Sequence, residues 1–147
     1  MSRPLIVFLV LTLGGGLTAG YLSPPGEWYA ALAKPPFNPP SWVFAPAWTT
    51  LYVLIAIAGA RVWMRELDTP LRLWFAQLIF NFVWSPIFFV AQRPDLALVV
   101  VAALLALVLA FIAATWKHDR VSAALFIPYA AWVSFATLLN FEIVRLN

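Results

Sequence analysis

The sequence predicts an all-α membrane protein: one domain over residues 1–147, built as a bundle of five transmembrane helices. Three observations predict it. Of the 147 residues, 64% are hydrophobic and 10% charged, with mean hydropathy +0.90, whereas a soluble domain is about half apolar and roughly a quarter charged. The apolar residues fall into five continuous runs bounded by charge or proline, each near the ~20 residues a spanning helix needs. The runs do not alternate as the roughly ten-residue strands of a barrel do, and a helix closes its own backbone hydrogen bonds, as lipid demands. Five spans and their connections use up the chain and leave no room for a separate soluble domain.

The runs cover approximately Pro4–Leu22, Trp42–Val62, Leu71–Val90, Leu96–Trp116 and Val121–Val144. The first has the layout of a secretory signal, with Arg3, an apolar stretch from Leu5 to Leu13 and small residues Thr18, Ala19 and Gly20. Four further spans follow it rather than a secreted domain, so it reads as a retained helix. Within it Gly16 and Gly20 form a GxxxG, which lets a neighbouring helix approach. The long first loop, Ser23 to Ser41, begins Pro24-Pro25-Gly26-Glu27, which suits the first turn of a short helix carrying Trp28, Tyr29 and Leu32. Pro35, Pro36, Pro39 and Pro40 then predict a stiff, extended return. Two roles fit this loop: an interfacial anchor with its rings at headgroup depth, or a lid over the bundle mouth.

The second span presents Phe44, Trp48, Tyr52 and Ile55 at helical spacing. The third repeats Gln77, Asn81 and Ser85 every four residues, with Trp84 and Phe88 adjoining, and the fifth presents Trp132, Ala136, Leu139 and Asn140. Each stripe alone is explained by helix packing with amides as interhelical glue. Together, rings with sparse amides and no charge describe the lining of a pocket for a flat, mostly apolar ligand. Pro86 and Pro128 each remove a backbone hydrogen bond inside a span, and a kink there widens such a cavity. The fourth span carries Ala102, Ala106, Ala110 and Ala114, a small-residue stripe for close packing inside the bundle or against a second subunit. Of the 8 tryptophans, Trp28, Trp42, Trp63, Trp74 and Trp116 lie near span ends or in loops, where interfacial anchoring accounts for them. Trp48, Trp84 and Trp132 lie on the inward stripes.

Other chemistries find little here. With 0 Cys and a single histidine, His118, in a charged turn, there is no metal set and no thiolate nucleophile. The net charge of +3 comes from scattered residues, without the basic run that nucleic acid requires. Ionisable residues sit in loops or near span ends, which disfavours a charge-driven transport cycle; Glu142 comes closest to an exception, with Arg145 three residues on to pair with it. Arg3, Arg61, Arg65, Arg72, Lys117 and Arg120 stand on one side of the spans, Lys34, Arg93 and Arg145 on the other. That count places the N-terminus in the cytoplasm if the membrane is an inner one; the count leaves inner and outer membranes undistinguished.

Four ordered strings carry a family resemblance. They are Trp28-Tyr29-Ala30-Ala31-Leu32-Ala33-Lys34-Pro35-Pro36-Phe37-Asn38-Pro39-Pro40 with Trp42 to Tyr52; Ala76 to Trp84 with Phe88-Phe89; Pro128 to Trp132; and Leu139-Asn140-Phe141. From Trp28 onward the chain resembles the TspO/MBR family of tryptophan-rich sensory proteins. The resemblance implies a five-helix bundle, usually a homodimer, that binds porphyrins, cholesterol and benzodiazepine-type drugs under the first loop, with porphyrin as ligand and no cofactor. Matching positions place Trp48, Tyr52, Asn81, Trp84, Phe88, Trp132 and Ala136 around the pocket, where Asn81 would offer its amide to a ligand carbonyl or carboxylate. Lys34 stands at the mouth, where it would pair with a propionate. In the family's sterol-contact motif Leu139 and Arg145 fit, but Phe141 replaces a tyrosine and its hydroxyl is missing, leaving an apolar contact for a sterol-like membrane lipid. The function implied is a tetrapyrrole receptor or transporter with a regulatory, stress-sensing role. The alternatives are light- and oxygen-dependent porphyrin breakdown using Trp48 and Trp132, for which no general base or nucleophile is at hand, and a scaffold whose stripes only pack helices.

Overall fold

A computed structural model describes residues 2–147. It contains α1 (Arg3–Leu22), a short α2 (Gly26–Ala31), α3 (Ser41–Met64), α4 (Asp68–Val90), α5 (Pro94–Thr115) and α6 (Arg120–Leu146). No strand occurs among the described residues. All but α2 are long and apolar enough to cross a membrane, and their ends fall within three residues of those read from the sequence. The five pack as a ring: α1 against α3 and α4, α4 against α5, α5 against α6, and α6 back against α3.

Periodicity explains the ring. On α5 the buried residues Ala97, Val101, Leu104, Val108, Phe111 and Thr115 recur three or four apart, one inward stripe of a helix. Ala102 and Ala106 are exposed, so the alanine stripe begins on the outside of the bundle rather than in its interior.

The end of the bundle away from the long loop is tightly packed. Trp74 is fully buried there; its indole donates to the Ile55 carbonyl at 2.8 Å and meets Phe8 edge-on at 4.7 Å. This corrects the reading of Trp74 as an interfacial anchor, since its N–H finds a carbonyl on α3 and need not reach water. Trp28 also packs inward, against Phe88 at 5.8 Å, whereas Trp42, Trp63 and Trp116 are exposed. At Gly59 a Cβ would stand 2.6 Å from both the Phe8 and Trp74 rings, so a side chain there would drive the three helices apart. On α1 the GxxxG pair is not the contact. Gly15 and Gly16 let the Phe82 and Tyr52 rings lie against the backbone, while Gly20 faces open space.

Two spans depart from α geometry at a proline. Pro86 opens a π-helical turn, Pro86–Val90, closed by Ala91 N–H to the Pro86 carbonyl at 2.9 Å. In α6 the helix breaks at Phe126 and resumes at Ile127, with Pro128 in its first turn. A second π-helical turn, Val10–Gly14, interrupts α1 without any proline; inside it the Thr12 hydroxyl donates to the Tyr52 carbonyl at 3.0 Å.

At the packed end Asp119 joins α3 to α6. Arg61 grips both its carboxylate oxygens, Nε at 3.0 Å and Nη2 at 2.9 Å, and the Ser122 hydroxyl donates to it as well. The Arg61 guanidinium, helped by Ser122 and Arg65, holds this carboxyl down at about 2 against the opposing effect of burial.

Candidate functional site

Toward the long loop the helices separate around a cavity of about 1010 Å³, at the top of the roughly 300–1,000 Å³ range of small-molecule sites. The π-helical turn at Pro86 and the break at Phe126 lie on helices that wall it. Lys34, Trp48, Tyr52, Asn81, Trp84, Phe88, Trp132 and Ala136 all border it. Of the three sterol-motif residues only Leu139 does. Phe141 is exposed on the outer face and Arg145 pairs with Glu142. Helical geometry explains the split: Phe141 lies about 200° around the helix from Leu139, and Arg145 falls on Phe141's side.

The floor is a chain of hydrogen bonds across three helices. Tyr52 Oη donates to Asn81 Oδ1 at 3.0 Å, Asn81 Nδ2 donates to Tyr129 Oη at 2.7 Å, and Tyr129 Oη donates to Gln77 Oε1 at 2.7 Å. Asn81 is therefore engaged at both ends of its amide. Tyr129, the hub, is fully buried and carried no role in the sequence reading. The signal for it was a phenol at mid-span, which in lipid must find a partner, at the depth where the third span offers two amides. A second bridge runs from Trp84 Nε1 to Asn140 Oδ1 at 3.0 Å and from Asn140 Nδ2 to the Pro94 carbonyl at 2.9 Å.

Above this floor the rings adjoin. Trp48 stacks on Tyr52 with centroids 5.5 Å apart and meets Trp132 edge-on at 6.2 Å. Trp132 Nε1 is buried without a hydrogen-bond partner, as is Gln77 Nε2. An unpaired buried donor costs free energy; Trp132 borders the cavity, where a ligand acceptor would satisfy its N–H, whereas Gln77 does not border it.

The first loop forms the roof. Gly26 takes a left-handed conformation (φ +62) that turns the chain into α2, from which the Tyr29 ring meets Phe88 at 6.0 Å and Phe89 at 5.3 Å. Leu32 lies just past the helix in extended backbone. The return segment is not extended throughout, because Asn38 N–H closes a turn on the Pro35 carbonyl at 3.1 Å. Lys34 Nζ lies 4.5 Å over the Tyr29 ring and donates to the Leu32 carbonyl at 3.2 Å. Burial pushes the Tyr29 phenol above its ordinary range, so the ring beneath the ammonium is neutral. The Asn147 side chain clasps Ala33, accepting from its N–H at 3.1 Å and donating to its carbonyl at 2.9 Å.

Among the described residues Lys34 is the one charged group on the cavity wall, and no cluster of metal ligands exists. The arrangement can enclose a flat apolar molecule between rings and offer it an amide and an ammonium.

The sequence profile of the TspO/MBR family matches residues 6–146. The tryptophan-rich sensory protein of Cereibacter sphaeroides is 42% identical, covering 100% of this chain and 94% of that protein. Protein CrtK of Rhodobacter capsulatus is 38% identical over 96% of this chain and 91% of its own length. The translocator protein of Bos taurus is 36% identical over 98% and 90%. Five membrane-length helices, a loop-roofed aromatic cavity and these likenesses lead to one conclusion: the chain belongs to the TspO/MBR family, integral membrane proteins.

Proposed function

We propose that the protein is a membrane receptor or transporter that binds a tetrapyrrole in the cavity and has a regulatory, stress-sensing role. The observation that carries this reading is the convergence of Trp48, Trp84 and Trp132 from three helices on one cavity of about 1010 Å³ whose wall has a single charge, Lys34. Rings stack on a tetrapyrrole plane, the free Nδ2 proton of Asn81 meets a carbonyl or carboxylate, and Lys34 pairs with a propionate at the mouth. Sterols and benzodiazepine-type drugs are flat and apolar enough for the same walls. The relatives' names, a sensory protein and a translocator protein, support a ligand-dependent role. If the membrane is an inner one, the Lys and Arg count favours a cytoplasmic N-terminus. The outward alanines of α5 suit a homodimer, and the exposed Phe141 suits an apolar contact with a sterol-like membrane lipid.

Protoporphyrin titrated into purified protein is expected to quench tryptophan fluorescence saturably. Trp132→Phe and Asn81→Ala are expected to weaken it about three- to tenfold, since a lost aromatic contact or hydrogen bond is worth roughly 0.5–1.5 kcal/mol. Unchanged affinity in both variants defeats the reading. The contact between Trp48 and Trp132 at 6.2 Å favours a second reading, light-driven porphyrin breakdown through indoles oxidised with dioxygen as the electron acceptor. Absorption spectra of the same complex in light and darkness decide it: a new product that disappears in Trp48→Phe supports breakdown, and bleaching independent of Trp48 refutes it.

A further inference from the structure

We propose that the ligand reaches the cavity sideways, from the bilayer, through a slot between the loop-side halves of α1 and α3. This rests on the binding reading above and adds the route. The N-terminal half of α1, Arg3–Leu9, and the π-helical turn after it pack on α3, whereas the second half, Gly15–Leu22, leans mainly on α4 and meets α3 through Gly16 against the Tyr52 ring. The two helices therefore part toward the loop. In the gap, Leu17, Gly20 and Tyr21 of α1 and Ala45 and Thr49 of α3 border the cavity and are at the same time exposed. Tyr21 is 86% exposed, so the lining at this edge of the cavity faces the outside.

The slot has an apolar surface. Thr49 spends its hydroxyl on the Ala45 carbonyl at 2.7 Å, and the other rim residues are aliphatic or aromatic. At 1.5 Å per residue, Ser41 to Thr49 runs about 12 Å down from the end of α3, against a half-thickness of roughly 15 Å for the hydrocarbon core. The slot thus opens into the leaflet nearest the loop. The roof is closed by comparison, with Tyr29 seated on Phe88 and Phe89 and the Asn147 side chain clasping Ala33. A flat hydrophobe dissolved in the leaflet, its polar edge at headgroup depth, meets an apolar passage; from water it meets a latched lid.

The chain supplies its own test. A Cβ at Gly20 meets nothing within 4 Å, nor does one at Gly14, which does not border the cavity. Gly20→Phe adds a ring at the slot with a Cβ that displaces no neighbour, and Gly14→Phe puts the same bulk on the same helix elsewhere. Ala45→Phe blocks the slot from the facing wall should Gly20→Phe fail to fold. Protoporphyrin association and dissociation are followed by stopped-flow tryptophan quenching with the protein in lipid nanodiscs. The expected result is that the slot variants slow both rates about tenfold or more with Kd within about twofold, because a narrowed passage slows both directions alike. Gly14→Phe and Asn147→Ala are expected to match wild type. Wild-type rates in the slot variants overturn the proposal, as does slower association with unchanged dissociation, or faster association in Asn147→Ala alone. Those outcomes leave the binding reading standing; absence of saturable binding in wild type overturns both.

Discussion

Tyr129 and Tyr52 contribute the same hydroxyl to the same hydrogen-bond chain, yet their loss is expected to cost different amounts. Tyr129 Oη accepts from Asn81 and donates to Gln77 in a fully buried position. Tyr129→Phe strands the Gln77 carbonyl and an Asn81 N–H where Gln77 Nε2 already lacks a partner, and each buried unsatisfied group costs about 1–3 kcal/mol. Tyr52 borders the cavity and gives up one donated bond, to Asn81 Oδ1, so Tyr52→Phe is expected to cost about 0.5–1.5 kcal/mol. Unfolding midpoints in detergent should rank wild type, Tyr52→Phe, Tyr129→Phe in falling order; the reverse order refutes the hub assignment. The cavity residues themselves were legible in the sequence, because a four-residue repeat of rings and amides marks one face of a helix. Tyr129 and Trp74 were not, because their roles depend on partners 48 and 19 residues away, across helix pairs that no single-helix period identifies.

At the level of helices, boundaries were legible to within three residues, since charge and proline punctuate each span. Pro86 and Pro128 announced departures from α geometry, although not that Pro86 would open a π-helical turn. The turn Val10–Gly14 had no announcement, because Val-Leu-Thr-Leu-Gly is compatible with an ordinary helix; within it Thr12 reaches across to the Tyr52 carbonyl on α3. The tight links on either side of α4 show a cost the sequence also conceals. Glu66 (φ 56) and Gln92 (φ 55) are left-handed so that Leu67 N–H reaches the Val62 carbonyl and Arg93 N–H the Ile87 carbonyl, the closure that ends a helix and usually employs glycine. A side chain in that conformation costs about 1 kcal/mol. Gln92→Gly is accordingly expected to stabilise the fold by about 0.5–1 kcal/mol, offset in part by the freer unfolded chain, and Gln92→Val to destabilise it. Equal midpoints for all three proteins in detergent unfolding would count against a strained link.

For the whole molecule, the division into a packed half and a hollow half requires something to hold the helices at the packed end while they part at the other. The ring order that achieves this was not legible, because amphipathic stripes say which face turns inward and not which helix it meets. Arg61 and Asp119 are 58 residues apart, and in the sequence each reads as an ordinary charge at a span end; only the fold pairs them. Asp119 is buried, and its carboxyl is held at about 2, below the ordinary 3.8. A depressed carboxyl stabilises the folded state fully above its unfolded value, and the contribution disappears as pH falls through the folded one. Wild type is therefore expected to exceed Asp119→Asn by about 2 kcal/mol at any pH above about 4, a difference set by the gap between the two values. Below that the difference should shrink, and near pH 2 the two proteins should unfold alike. Because the carboxylate is buried, salt should change the difference little. A gap that stays constant from pH 7 to 2.5, or that vanishes in high salt at neutral pH, would show that the brace is a surface ion pair and that the packed end is held by its apolar contacts alone.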